Sequence, residues 1–376
     1  MSAGLYVHFP FCRRKCPYCS FYSVESPNLG ASEAWAWALS REALLRAPGW
    51  GSFDTFYLGG GTPSLLSPAQ LGLLVRQLAG RFDFSALVEA TLEANPDSLS
   101  QELLQAARES GFTRVSLGIQ SLSDGHLRRL GRLHNAGSAR RAANMVTEAG
   151  LKLSLDLIFG FKGLSLGEWE QTLDQALRLE PAHISCYAFS QGPSPASPHP
   201  ASDKAQVDQY ELACERLGAA GLLPYELSNF SKPGSESRHN QKYWSGEPYL
   251  GLGPAAHSYD GKARWSNSAS LTSWHKALGE WILPTVETEQ LTGARRLPEL
   301  IFSGLRAREG LDLSQLEKAC GLALGQQAST ELALLAAEGL LVSTGTGRLA
   351  CTAKGRLYSD ALALRLVQAA RKEETM

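Results

Sequence analysis

"LYVHFPFCRRKCPYCSF" (residues 5–21) runs from a short strand-like stretch, Leu5 to Phe9, straight into Cys12, Cys16 and Cys19. The chain has seven cysteines, so three of them are spent in one loop. Thiolates at spacings of four and three, presented by a tight loop after a strand, can converge on one inorganic centre. A structural zinc site wants four protein ligands, and the nearest fourth donor, His8, lies inside the preceding strand. A disulfide framework would leave one cysteine unpaired. An iron–sulfur cluster is normally held by four cysteines. Three would leave one iron without a protein ligand and open to a small molecule. Zinc and incidental clustering stay as alternatives on the residues alone.

Composition narrows the setting. Of 376 residues, 44% are hydrophobic and 19% charged, which suits a folded chain and argues against disorder. Thirty-six basic against thirty-seven acidic side chains leave a net charge of −1, so the balance asks for no nucleic acid. The start "MSAGLYVHF" lacks a basic segment followed by an apolar one, and no uncharged apolar run reaches membrane-spanning length. A cytoplasmic location is expected, where thiols stay reduced and clustered cysteines are read as ligands before disulfides.

Outward from the cysteine loop, strand-like runs alternate with helical ones: 5–9, 54–59, 87–94, 114–119, 152–159 and 183–189. That alternation predicts βα units and a parallel sheet. Leu71, Leu74, Val75 and Leu78 share one face of a helix at 68–79, and Ser100 caps a helix that ends near Gly111. "SQGPSPASPHPAS" (190–202) reads as a loop, followed by a helix over 203–221. From about 292 the pattern is helical again, with two short strands around "TGTGR" (344–348) and a final helix. The expected fold class is α/β: a partial (β/α)6 TIM-type barrel over 1–200, an added aromatic- and Gly-rich α+β region over 201–291, and a small winged-helix-like C-terminal domain over 292–376. Cys186, Cys214, Cys320 and Cys351 lie in apolar contexts and are expected in the core.

The C-x-x-x-C-x-x-C loop at the end of a first strand resembles the radical S-adenosylmethionine superfamily. The resemblance implies a [4Fe-4S] cluster on Cys12, Cys16 and Cys19, with S-adenosylmethionine on its open iron. "FYLGGGTPSLLS", "EANP", "SLGIQSL", "LRRLGRLH" and "LDLIFG" are similar, more narrowly, to the oxygen-independent coproporphyrinogen III oxidase family. By that similarity Tyr6 and Tyr18 flank the cluster and its ligand, and Gly60, Gly61, Thr62, Glu93, Gln120, Arg132 and Asp156 contact S-adenosylmethionine. Polar groups at the C-terminal ends of parallel barrel strands face the active site, which agrees.

Two features point to one branch of that family. Its decarboxylating members carry a further cysteine two positions after the third cluster ligand, together with an N-terminal extension; here position 21 is Phe. "ESRHNQKYWSG" (236–246) instead supplies an H-N-x-x-Y-W arrangement that resembles the HemW-type heme chaperones. That likeness implies heme as cargo, held by Arg238, His239, Asn240, Tyr243 and Trp244, with His239 as a candidate iron ligand and His257 as a second one. Imidazole ligates iron, aromatic faces suit a porphyrin, and a guanidinium suits a propionate. Recipient hemoproteins, membrane-bound respiratory enzymes among them, a homodimer, and a location at the membrane periphery follow as further expectations. The alternative is radical decarboxylation of coproporphyrinogen III or another porphyrin modification. The loops "FGFKGLSL" (159–166), "SQGPSPAS" (190–197) and "GPAAHS" (253–258) depart from the family pattern on the substrate side.

Overall fold

The structure, a computed structural model, describes residues 2–25, 30–321, 324–344 and 348–371. Six strands lie parallel and side by side in chain order: β1 Ala3–Phe9, β2 Phe53–Gly60, β3 Glu89–Ala94, β4 Arg114–Gln120, β5 Lys152–Phe159 and β6 His183–Ala188. Each lies within two residues of its sequence-predicted span. The strands read as near-continuous apolar runs because helices cover their outer side. These helices are α1 Gly30–Arg46, α2 Pro68–Ala79, α3 Gln101–Glu109, α4 Ala136–Glu148, α5 Leu166–Leu177 and α6 Asp203–Ala219.

Local chemistry sets where the helices begin. Ser67 and Gln70 form a reciprocal capping box before α2, Asn135 and Ser138 do so before α4, and Ser165 and Glu168 before α5. On α2, Leu71, Leu74 and Leu78 are buried in one core with Phe9, Leu58 and Trp35, while Val75 packs at its margin. A second core gathers Leu117, Ile119, Leu155, Leu157, Trp169 and Leu173 under the other half of the barrel.

Residues 201–291 do not stand apart as a separate layer. β7 Asn229–Ser231 runs antiparallel along the edge of β6. α7 Arg238–Ser245 is followed by β8 Tyr249–Leu252, which pairs parallel with β1 on the far side of the barrel. Antiparallel strands β9 His257–Tyr259, β10 Ala263–Asn267 and β11 Thr285–Gln290 then extend the same sheet, which with the two-residue Leu223–Pro224 strand beside β7 has twelve strands among the described residues. α8 Leu271–Gly279 returns Trp274 and Leu278 to the core under β1. No 2.0 or 3.6 period marks this region because its strands are short and their two faces are unequally covered.

The C-terminal residues build their own core from Leu297, Ile301, Leu305, Leu335, Leu362 and Leu366. Helices α9 Leu297–Arg306, α10 Leu313–Cys320, α11 Gln326–Ala337 and α12 Ser359–Arg371 pack with a three-stranded antiparallel sheet, 311–312, 348–351 and 341–344. Residues 345–347 within "TGTGR" lie outside the described residues. Cys186, Cys320 and Cys351 are buried and Cys214 half-buried, all as free thiols. No helix among the described residues is long and apolar enough to cross a membrane.

Candidate functional site

At the C-terminal ends of β1–β6 the barrel opens into a cavity of about 340 Å³. The cysteine loop forms one wall. Cys12, Cys16 and Cys19 all face the cavity, as do Tyr18, Gly60, Gly61, Thr62, Glu93, Gln120, Arg132 and Asp156. Eleven residues scattered between Cys12 and Asp156 thus meet because each stands in the C-terminal half of a strand or in the segment after it. Among the described residues no three His, Cys, Asp or Glu side chains gather tightly enough to hold a single metal ion. What the three thiols share is a cavity wall, which suits a multi-iron centre better than one zinc.

The glycines of "GGGTPS" serve packing before ligand contact. Gly61 N donates to Phe9 O at 2.7 Å and Thr62 N to Phe11 O at 2.8 Å, so the end of β2 is stitched to the chain entering the cysteine loop. A Cβ on Gly61 would stand 2.5 Å from Phe11 O, and one on Gly60, whose φ is +109°, 2.6 Å from the His8 ring. Only hydrogen atoms fit there, which fixes the distance between the loop and the strand end.

The sulfurs have hydrogen-bond donors. Thr62 Oγ1 lies 3.5 Å from Cys12 Sγ, and Arg132 Nη1 lies 3.6 Å from Cys16 Sγ. Asn95 joins the two: its Nδ2 donates to Thr62 Oγ1 at 3.0 Å, and its Oδ1 accepts from Arg132 Nη2 at 2.5 Å. Burial pushes the Cys12 and Cys19 thiols up, so a cation or metal beside them is what would make thiolates of them. The donor set, the room and the buried N–H and O–H groups aimed at sulfur fit an iron–sulfur cluster.

Two carboxylates face the same space. Glu93 accepts from Tyr57 OH at 2.7 Å and from Gly60 N at 2.9 Å, yet burial pushes its pKa up to about 7. Asp156, also raised by burial, accepts from Ser116 Oγ at 3.1 and 3.2 Å. Gln120 holds a left-handed φ of +61° at a register shift between β4 and β5, a strained turn that sets its side chain on the cavity wall. Tyr6 does not line the cavity; its hydroxyl bonds His8 Nδ1 at 2.9 Å inside the barrel. Sequence reasoning missed Asn95, Ser116, Tyr187 and Phe189. Asn95 stood within the quoted "EANP" motif and Ser116 two residues before the "GIQ" turn, so position along a strand was the available signal.

The 238–244 segment lies elsewhere. Glu89, at the start of β3, accepts from the backbone N–H groups of Arg238 and His239, both at 3.1 Å. Arg114, at the start of β4, pairs with Glu89 at 3.4 Å and donates to the Ser235 and Glu236 carbonyls. α7 therefore plugs the N-terminal mouth of the barrel, opposite the cysteine cavity. The expectation that His239 ligates heme iron meets a geometric objection. Its ring is 0% exposed, with Nδ1 bonded to Thr55 Oγ1 and Nε2 to Tyr243 OH, each at 2.9 Å. Burial drives its pKa down to about 3, so the neutral ring is a structural member of the barrel floor. Tyr243 packs edge-on against Tyr249 at 4.7 Å. Arg238 is exposed and Asn240 half-buried, and neither faces the cysteine cavity. His257 is exposed on β9. Trp244 lines a second cavity, between α7 and α9.

Comparison with known proteins matches this geometry. Residues 6–176 match the radical SAM superfamily and residues 291–358 the HemN C-terminal domain. The first of these families implies a [4Fe-4S] cluster and S-adenosylmethionine. Heme chaperone HemW of Mycobacterium tuberculosis is 36% identical over 375 residues, covering 96% of this chain and 93% of that protein. Heme chaperone HemW of Bacillus subtilis is 32% identical over 350 residues, covering 89% and 92%. The coproporphyrinogen III oxidase HemN of Escherichia coli, 23% identical, superposes with a TM-score of 0.85 over 97% of this chain and 90% of that one, and so shares the fold. With end-to-end likeness to two such relatives and the cysteine-lined barrel cavity in place, the chain belongs to the HemW family of radical S-adenosylmethionine proteins.

Proposed function

We propose that this protein is a heme chaperone, taking up heme and passing it to recipient hemoproteins, including membrane-bound respiratory enzymes. One observation carries the reading: similarity to proteins named heme chaperones extends over 93% of the relative's length and spans all three regions of this chain. On this reading Cys12, Cys16 and Cys19 hold the [4Fe-4S] cluster, with Thr62 and Arg132 donating to sulfur. Glu93, Gln120 and Asp156 contact S-adenosylmethionine from the strand ends, and Tyr18, set edge-on to Phe189 at 6.2 Å, screens the cavity from water. When bound, such a cluster with S-adenosylmethionine supplies one-electron chemistry, and the protein supplies orientation and shielding. Arg132 adds a fixed positive charge beside Cys16, and the raised pKa of Glu93 lets it hold or release a proton near neutral pH.

The test is an anaerobic titration of reconstituted protein with hemin, followed by mixing with an apo-hemoprotein. Stoichiometric uptake and transfer is the expected result. The completeness of the barrel cavity favours a second reading, radical decarboxylation of coproporphyrinogen III. Phe21, 70% exposed at the rim of that cavity, occupies the position of the decarboxylases' further cysteine. Incubation with coproporphyrinogen III, S-adenosylmethionine and a reductant should leave the tetracarboxylate intact; a tri- or dicarboxylate product would replace the chaperone reading.

A further inference from the structure

The cysteine loop has a second face. Arg13, Arg14, Asp97, Gly131 and Leu133 surround a narrow recess of about 20 Å³, closed off by Cys16, Thr62, Asn95 and Arg132. Those last four residues also line the large cavity, so a single layer of side chains separates the two spaces. Of the three cysteines only Cys16 borders both. The layer is closely fitted: Arg14 Nη2 donates to Gly131 O at 2.5 Å, and a Cβ on Gly131, whose φ is +72°, would stand 2.7 Å from Pro17 Cδ. Around the recess the surface is basic, in a chain whose net charge is only −1. Arg13 is offset by Asp97 at 3.5 Å, and Glu25 accepts from the Lys15 backbone N–H at 2.7 Å. The side chains of Arg14, exposed, and Lys15, half-buried, form no ion pair among the described residues. Nor does Arg128, exposed on the short helix Asp124–Arg129, whose carbonyl accepts from Gly131 N at 3.1 Å. Leu133, 50% exposed, adds an apolar spot at the same rim.

We propose that this basic face is the docking surface for an acidic one-electron carrier protein, and that its electron enters the cluster beside Cys16. The inference rests on the cluster assignment to Cys12, Cys16 and Cys19 and is independent of the heme cargo. A ligand on the open iron occupies the large cavity, so a protein donor has to deliver from outside it. The recess is where the wall is one side chain thick. In the step one electron leaves the carrier and enters the cluster; no bond forms or breaks, and no proton has to move. Three uncompensated cations steer an acidic partner to this face, and the electrostatic part of that attraction acts on the association rate. A small charged rim around one apolar spot suits the limited interfaces of transient redox encounters. Nucleic acid fits less well, because the recess lining holds no aromatic side chain on which a base could stack.

The experiment follows anaerobic bleaching of the cluster absorbance in the reconstituted full chain, mixed with an acidic flavodoxin in its hydroquinone form or with reduced methyl viologen, a small cation. Wild type is compared with Arg14→Glu, Arg128→Glu and Arg238→Glu. Arg128 lines neither the cavity nor the recess, so its reversal leaves the cluster surroundings intact, and Arg238 carries the same charge change to the opposite mouth of the barrel. The rate is read per cluster, so partial loss of iron does not alter it. Flavodoxin should reduce Arg14→Glu and Arg128→Glu about tenfold more slowly than wild type at low salt, with the difference closing as salt is added. Arg238→Glu should match wild type, and methyl viologen should reduce all four proteins at similar rates. Flavodoxin rates that are equal in all four proteins, or slowed as much by Arg238→Glu, would overturn the docking surface. So would a short RNA that binds wild type more tightly than flavodoxin does and loses that binding in Arg14→Glu. A wild type that assembles no cluster would overturn the cluster assignment, and the proposal with it.

Discussion

Thr55 and His239, 184 residues apart, share a 2.9 Å hydrogen bond between Oγ1 and Nδ1 inside the barrel floor. With the Tyr243 bond on the other ring nitrogen, both nitrogens of His239 are engaged within the barrel floor. His239→Ala should cost about 2–4 kcal/mol, since it opens a cavity and strands two buried hydroxyls. Urea denaturation measures that cost. Hemin affinity of the folded variant should match wild type; a selective loss of affinity with unchanged stability would return the iron ligand to this position.

The same burial makes a pH prediction. The folded-state pKa of His239 is depressed from 6.5 to about 3, so its contribution to stability is fully present above 6.5 and drains away as pH falls toward 3. In His239→Gln there is no such proton to exclude. The stability gap between wild type and His239→Gln should therefore shrink by about 1.4 kcal/mol per pH unit below 6.5. Denaturant midpoints at pH 7, 6 and 5 test this, and a constant gap would mean that the ring is hydrated.

Glu93 titrates in the opposite sense, its carboxyl raised by burial to about 7. A protonated Glu93 presents one acceptor fewer to a ligand amine or hydroxyl, and no charge. S-adenosylmethionine affinity of the reconstituted protein should rise between pH 6 and pH 8, and Glu93→Gln should flatten the profile. Calorimetry at three pH values separates these outcomes. An unchanged slope in the variant would assign the titration to another group, with Asp156 the next carboxylate on the wall.

What the sequence made legible follows from chain locality. The strands of the barrel and many of the cavity residues were readable because these side chains stand near the C-terminal end of a strand or in the loop after it, a place that a one-dimensional pattern marks. The fate of His239 was not readable. Its neighbours Thr55, Tyr57 and Tyr6 come from two other strands, and only the plugging of the barrel mouth by α7 brings them around the ring. The motif "HNQKYW" gives the same letters whether the imidazole faces a ligand or the floor. The Trp244 cleft was invisible for a related reason: half of its wall comes from α9, in what read as a separate domain.

Arg132 couples the Cys16 sulfur to Asn95 and to the Gly118 carbonyl, the last at 2.7 Å. Removing a cation and an N–H donor beside a cluster sulfur stabilises the oxidised state relative to the reduced one. Arg132→Leu should move the midpoint potential of the reconstituted cluster to more negative values, and Asn95→Ala should do so by less, since it loosens Arg132 without removing its charge. An EPR-monitored redox titration reads both. An unshifted potential in Arg132→Leu would place the cluster sulfurs beyond the reach of this side chain.

The loop "SQGPSPAS" departs from the family pattern in letters, yet the structure gives it a task at the cysteine loop. A Cβ on Gly192 would stand 2.4 Å from Pro17 O and 2.5 Å from Tyr18 Cα, both backbone atoms between Cys16 and Cys19. Neither can swing aside as a side-chain end would. Gly192→Ala must push the two loops apart, at a local cost of about 1–3 kcal/mol, and the cysteine spacing is the part with least slack. Iron and sulfide per chain after reconstitution should fall, while the thermal transition, which reports the barrel core, stays near wild type. Gly167→Ala is the matched control, because nothing lies within 4 Å of its added methyl. Equal iron in both variants would show that the loops part freely and that Gly192 braces nothing.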